Sequence, residues 1–222
     1  MNTKPMALIM TLTALLAGCA VNPTAFKTVR GSGVVKTETR PVSGFSRVTF
    51  NLVGKLYIDQ SGSDSLSITT DENILPFIQT EVRNGMLTIG MSRATNLMQF
   101  NDLTYHVSVK NLTELTVSGA ADVVVSNLDA ESLSVVINGA GKVTASGKAR
   151  EQTVSINGAG DYNAPNLESR IAKMTHAGLG KALVRVSDSL EVQIDGAGVV
   201  EYIGNPSVRK TINGLGIVRQ SK

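Results

Sequence analysis

The residues able to do chemistry in this chain are few, and most stand beside glycines. INGAG occurs at 137–141 and again at 156–160. A phosphate-cradling loop needs its glycines between a strand and a helix N-terminus, in frames such as G-x-x-x-x-G-K-[ST] or G-x-G-x-x-G. Gly139-Ala140-Gly141-Lys142 fits neither frame, and strand-like alternation follows it. Calcium-binding β-roll repeats have a period of about nine residues with an aspartate in each unit; here only Asp161 directly follows a G-x-G corner. The two histidines are His106 and His176. His106 has no cysteine or carboxylate at ligand spacing. His176 interrupts an inward column otherwise filled by Ile137, Ile156, Ile194 and Ile212. It is read as an interior histidine bonded to backbone; a functional role at this special interior position is the sharper alternative. No adjacent serine or carboxylate completes a triad with it. Glycoside cleavage needs two carboxylates about 5 Å or 6.5–9.5 Å apart. Asp122 and Asp161 share a column two coils apart, near 10 Å, with Lys142 between them and Lys181 following. The alternation reads as a solvated charge ladder that helps set register. No catalytic residue, metal or cofactor is expected.

The elements that hold these residues follow from a period. Gly-containing corners recur as Ser118-Gly119-Ala120-Ala121, Asn138-Gly139-Ala140-Gly141, Asn157-Gly158-Ala159-Gly160, Ala177-Gly178-Leu179-Gly180, Asp195-Gly196-Ala197-Gly198 and Asn213-Gly214-Leu215-Gly216. Their first glycines are separated by 20, 19, 20, 18 and 18 residues. A fixed period of this length signals a solenoid. Apolar residues alternate before each corner, as in Val135 and Ile137 or Val192 and Ile194, and after it, as in Val143 and Ala145 or Val200 and Tyr202. Period-two alternation marks strands with one buried face. Each unit is therefore strand, corner, strand and a polar turn such as Ser187-Asp188-Ser189, with a third apolar position at Leu128, Leu167, Leu190 and Val208. The predicted fold is all-β: a single-stranded, parallel, right-handed β-helix of about 19-residue coils stacked about 4.8 Å apart, roughly 24 Å tall over the regular corners. The corner glycines are explained by φ values that a Cβ forbids and by close passage between coils. Asn138, Asn157, Asp195 and Asn213 form a polar ladder along the prism.

Residues 26–110 are less regular. Leu52 stands where the first corner glycine would be, Leu66–Thr70 reads as a strand, and Asp71–Pro76 as a loop or short helical turn. Ile78–Arg83, Asn84-Gly85 and Met86–Ile89 read as a hairpin on a type I′ turn. Tyr105–Lys110 leads into the first regular coil. At the start of the chain, Lys4, an apolar stretch over 6–16 and Leu16-Ala17-Gly18-Cys19 compose a secretory leader. The stretch is too short to span a bilayer, which needs roughly 20 helical residues. The last four of these residues resemble a bacterial lipobox, which implies cleavage before Cys19 and acylation there; an ordinary signal peptide is the plainer alternative. Three acyl chains, palmitate among them, exceed the two signals that stable anchoring needs. Ala20 follows the cysteine in place of an aspartate, which by resemblance favours the outer membrane of the cell envelope. The expected organisation is signal peptide 1–18, lipidated tether 19–36 and β-helical domain 37–222.

Removing residues 1–18 leaves 204 of the 222 residues, and Lys+Arg falls from 21 to 20 against 18 acidic residues. That near-balance, with no basic block and only 4% aromatics, excludes a nucleic-acid-binding surface. Cys19 is the only cysteine, so no internal disulfide staples the fold. At the last coil, Val199 and Ile217 replace the charges of the ladder. Its strand edge is either blunted by Arg209, Lys210, Arg219 and Lys222 or stacked on a second copy through residues 212–220, giving a homo-oligomer.

The corners, the stretch opening at Phe45-Ser46-Arg47-Val48 and the hairpin segment Asn84-Gly85-Met86-Leu87-Thr88-Ile89 together resemble the head GIN-domain family. Its members are described as autotransporter adhesins and often carry a lipoprotein signal. The resemblance covers roughly residues 30–220 and implies a single-stranded β-helix shaped like pectin lyases without their catalytic residues. It carries over no functional residue, because the shared pattern defines turns, and this chain departs from it at Leu52, Ala121 and Ala177. The reading is a non-catalytic envelope lipoprotein that contacts a glycan or protein of the envelope or a host surface. A polysaccharide-active enzyme and an auxiliary envelope-stress lipoprotein are the alternatives. Two or more carboxylates converging in a groove would favour the enzyme.

Overall fold

The corners dictate how this chain stacks. In the computed structural model, which describes residues 27–92 and 95–221, the first glycines of successive corners lie directly above one another. A Cβ on Gly139 would overlap the carbonyl oxygen of Gly119, one on Gly158 that of Gly139, and one on Gly178 that of Gly158. Of the corner glycines, only Gly180 adopts a left-handed φ, at 124°. Close passage of backbones, rather than positive φ, is what demands glycine in most of this column, which corrects half of the explanation offered from sequence. Leu52 opens the column, and its own carbonyl lies beneath Gly119. The second glycines roof the side chain of the coil below: Gly160 covers Ile137, Gly198 covers the ring of His176 and Gly216 covers Ile194.

Between corners the chain runs as long bent strands. β1 (Lys27–Arg30), β2 (Val35–Arg40), β3 (Arg47–Phe50), β4 (Gly54–Asp59) and β5 (Ser65–Asp71) precede a single 3-10 turn at Leu75–Phe77. β6 (Ile78–Arg83), β7 (Met86–Met91), β8 (Thr95–Met98), β9 (Thr104–Ser108) and β10 (Glu114–Val117) complete the irregular part. The coils proper are β11 (Ala121–Ile137), β12 (Lys142–Ile156), β13 (Asp161–His176), β14 (Lys181–Ile194), β15 (Val199–Ile203), β16 (Ser207–Ile212) and β17 (Ile217–Gln220). From β10 onward every pairing is parallel, in the order β10-β11-β12-β13-β14, and then β14 with both β15 and β16. The fold is a β-solenoid of stacked parallel coils, as the period requires.

The inward columns form one continuous core. Ile89, Phe50, Val117, Ile137, Ile156, His176, Ile194 and Ile212 follow each other through the register. A second column runs Leu56, Val123, Val143, Tyr162, Ala182, Val200 and Val218. Apart from the terminal coil, these side chains are buried. Like residues stacked at strand spacing exclude water along the whole axis, so burial is set by the period and not by any single contact.

The polar turn is absent as a separate element, because Ser187-Asp188-Ser189 lies within β14. The chain bends instead at bulges, where register shifts between Val125 and Leu128, Thr144 and Ser146, Ala164 and Glu168, and Ser169 and Ile171. Consequently the third apolar position is two positions: Leu128 and Leu167 stack across Gly147, whereas Leu190 and Val208 continue the column of Leu133, Gln152 and Ala172.

The irregular region closes the first coils. β4 and β10 continue the solenoid, but the strands around them add antiparallel pairs: β2 with β5, β5 with β9, and β6 with β7. The Asn84-Gly85 turn has positive φ at both residues, 49° and 74°, as type I′ demands. The boundary drawn at residue 37 moves toward the N-terminus. β1 pairs in parallel with β8, and β2 begins at Val35. Asp71, wholly buried, latches this arm: it accepts hydrogen bonds from the amides of Gly33 at 2.6 Å and Asn101 at 2.7 Å, and from Asn101 Nδ2 at 2.9 Å. Burial pushes its carboxyl up, but these N–H donors outweigh it and hold the group below the usual carboxylate range. Cys19 and the leader lie outside the described residues.

Candidate functional site

The charge and polar ladders occupy the outer faces beside the corners. The register sets Lys55, Asp122, Lys142 and Asp161 side by side on successive coils. Lys55 Nζ is drawn to Asp102 at 2.8 Å, and Asp161 Oδ1 accepts the amide of Lys181 at 2.7 Å. The asparagine column is two dyads: Asn157 Nδ2 donates to Asn138 Oδ1 at 2.9 Å, and Asn213 Nδ2 to Asp195 Oδ1 at 2.7 Å. Ala177 stands between them. The same corner presents Leu179 outward, 59% exposed, and His176 inward.

His176 is fully buried, and neither ring nitrogen makes a well-aligned hydrogen bond. Its backbone partner is Gly180, in a loose contact that falls short of one. Burial pushes its pKa below the ordinary histidine value, opposed in part by the nearby Gly180 backbone and Asp161. The imidazole is thus held neutral in a stack built for isoleucine. His106 lies on the outer face, its ring stacked on Tyr57 of the adjacent coil with centroids 4.9 Å apart. Among the described residues no group of three His, Cys, Asp or Glu could hold a metal ion, and no helix is long and apolar enough to cross a membrane.

The bulges create what the corners do not: an open groove of about 930 Å³ along the flank of β11–β14, reaching Asn205. Two outward columns line it, with smaller side chains between them. One wall is the register column Asp129, Lys148, Glu168 and Arg185, alternating in sign. The other carries Glu131 paired with Arg150, and Arg170, which is held from outside the groove by Asp188 at 2.7 Å. Ser187 and Arg170 hold the Asp188 carboxyl below its usual range. Ala130, Ser169 and Val186 lie at its base. Beneath it runs a buried polar chain. Tyr162 OH donates to Gln152 Oε1 at 3.1 Å, Gln152 Nε2 donates to Ser169 Oγ at 2.6 Å, and Ser169 Oγ donates to the Arg185 carbonyl at 2.6 Å. This chain satisfies the polar atoms of Gln152, Tyr162 and Ser169 and the Arg185 carbonyl beneath the groove. Burial alone pushes the Tyr162 phenol well up, so it stays a donor.

Sequence reasoning missed this groove. Its signal was present: Asp129, Lys148 and Glu168 are spaced by 19 and 20 residues, the same period as the corners. The step to Arg185 is only 17 because three residues of β13 bulge out of register.

These features define a class, the parallel β-solenoid with an open charged flank. Residues 44–206 match the family described as "Putative auto-transporter adhesin, head GIN domain", and the chain belongs to it. Solved structures share the fold. A protein described as a putative adhesin from Bacteroides fragilis is 22% identical with a TM-score of 0.74, covering 87% of this chain and 100% of its own. A second, so described, from Parabacteroides distasonis is 23% identical with a TM-score of 0.57, covering 88% and 100%. A third, described as a putative lipid binding protein from the same organism, is 21% identical with a TM-score of 0.53, covering 88% and 100%. No curated protein matches the chain.

Proposed function

We propose that this chain is a lipid-anchored envelope protein that holds a target on the flank of its solenoid without transforming it. One observation carries the reading: the wall carboxylates Asp129 and Glu168 stand two coils apart, about 9.6 Å, with Lys148 between them, and Glu131 is engaged by Arg150. Such alternation builds a polar wall, whereas glycoside cleavage needs two carboxyls facing one bond about 5 Å or 6.5–9.5 Å apart, one to donate a proton and one to attack or to activate water. Membership of an adhesin-described family supports the same direction. The Cys19 lipobox supplies the anchor, and adhesion or envelope-scaffold binding is the activity.

Two measurements test this. Metabolic labelling with palmitate is expected to mark the full chain and to fail with Cys19→Ala. Protease added to intact and to lysed cells then separates the roles. Cleavage of the domain on intact cells supports adhesion, and cleavage only after lysis overturns adhesion and leaves scaffold binding inside the envelope. Release of reducing ends or unsaturated sugars from polysaccharide would overturn the non-catalytic reading itself.

A further inference from the structure

We propose that the flank groove is a binding site for a neutral, hydroxyl-rich glycan chain lying along the solenoid axis. The inference rests on the binding reading above and names its ligand class. The groove crosses the coils of β11, β12, β13 and β14, so it repeats the same backbone spacing of about 4.8 Å three times. A surface that repeats fits a ligand that repeats, which selects a polymer over a compact small molecule.

The sign pattern selects the polymer. Along the wall an acceptor carboxylate, Asp129 or Glu168, alternates with a donor cation, Lys148 or Arg185. A polyanion would meet a carboxylate at every second coil, and a polycation would meet an ammonium or guanidinium. A sugar hydroxyl both donates and accepts, so a row of hydroxyls satisfies both kinds of wall residue without charge conflict. Lys148 and Glu168 stand at the centre of the wall and are exposed. Arg185 is oriented for the task by its Nε bond to the Pro165 carbonyl at 2.6 Å. An extended peptide is disfavoured for a separate reason. β12 and β13 are paired on both sides, so the flank offers no open strand edge for a peptide to join.

The test is affinity electrophoresis of the folded domain through gels containing dextran, laminarin or yeast mannan as neutral probes, and alginate as a polyanion, at low and high salt. At least one neutral glycan is expected to retard the wild-type domain with little change between salt conditions. Lys148→Ala combined with Glu168→Ala is expected to weaken that retardation roughly tenfold or more, since two charge-assisted hydrogen bonds are lost. Lys142→Ala, on the other flank, is expected to leave it unchanged. Circular dichroism confirms that each variant is folded; should the double variant unfold, Lys148→Met with Glu168→Gln takes its place. Retardation by alginate alone, lost at high salt, would overturn the proposal, as would neutral binding that the groove variants leave intact, or no retardation by any neutral probe. Attachment of whole cells to their target surface separates the two claims: attachment that survives the groove substitutions sinks only the groove assignment, while wild-type cells that never attach count against the adhesion reading.

Discussion

The coils from β11 onward pair only in parallel, whereas the region before β10 mixes parallel with antiparallel pairs. In the coils each residue meets its counterpart 17–20 positions away in parallel register, and the same column position recurs on every level. In the earlier region β2, β5, β6 and β7 turn back on their neighbours, and the chain is held by particular groups, above all Asp71 with its three N–H donors. A parallel stack propagates itself but cannot finish itself, since each coil leaves an open edge. Antiparallel strands end the stack at the β2–β9 end. At the other end β16 and β17 are paired on one side, and Leu215 is 88% exposed. Repetition supplies the coils' stability; singular contacts supply the closure.

That contrast can be broken most sharply with glycine. Gly178→Ala would drive a Cβ into the Gly158 carbonyl in the middle of the stack, and backbone cannot yield there without displacing both coils. A loss of about 3 kcal/mol is expected, read as a fall in the urea midpoint. Gly90→Ala in β7 has nothing within 4 Å of the new methyl and should change stability by no more than about 0.5 kcal/mol. Equal effects would refute the distinction between the two regions.

Asp71→Asn tests the singular contacts. Its folded carboxyl sits below its ordinary value near 3.8. Its contribution is therefore complete above that range and is lost as pH falls through the folded value. The variant should lose about 1.5–3 kcal/mol at neutral pH and part of the acid limb of the wild-type melting curve. Amide exchange should accelerate first at Gly33 and Asn101. Acceleration spread evenly over β11–β14 would show that the latch is not local.

The one irregularity inside the coils gives the opposite sign. His176→Ile should stabilise by about 1–3 kcal/mol, because a buried imidazole with no well-aligned hydrogen bond is replaced by the residue type above and below it. The site takes isoleucine, as Ile194 sits under Gly216 in the same way that His176 sits under Gly198. Since the histidine pKa is lowered from about 6.5, wild-type stability should decline as pH falls below that value, and the variant should stay flat there. Thermal melts at neutral and mildly acid pH read both effects. A destabilised variant would mean that the Gly180 contact is a true hydrogen bond or that the imidazole has a role.

The smallest effect belongs to the exposed ladder. Asn157→Ala is expected to cost under about 0.5 kcal/mol, and Ala177→Asn, which joins the two dyads, to gain a few tenths. Chemical denaturation of the paired variants resolves the sign.

The sequence alone determined the solenoid, because close stacking leaves no room for a Cβ at the corners and that prohibition repeats every coil in the amino-acid string. It likewise placed the Asn84-Gly85 hairpin, the inward columns and the isolation of His176 among isoleucines, all of which are periodicities or local turn chemistry. Tertiary structure alone decided the bends. Three residues of β13 slip out of register against β14, and that offset brings Arg185 into line with Glu168 on the groove wall. A bulge is chosen by how neighbouring coils of unequal length fit together, which no single coil encodes. The same holds for Asp71, whose donors Gly33 and Asn101 are 38 and 30 residues away and meet it only once the arm has docked.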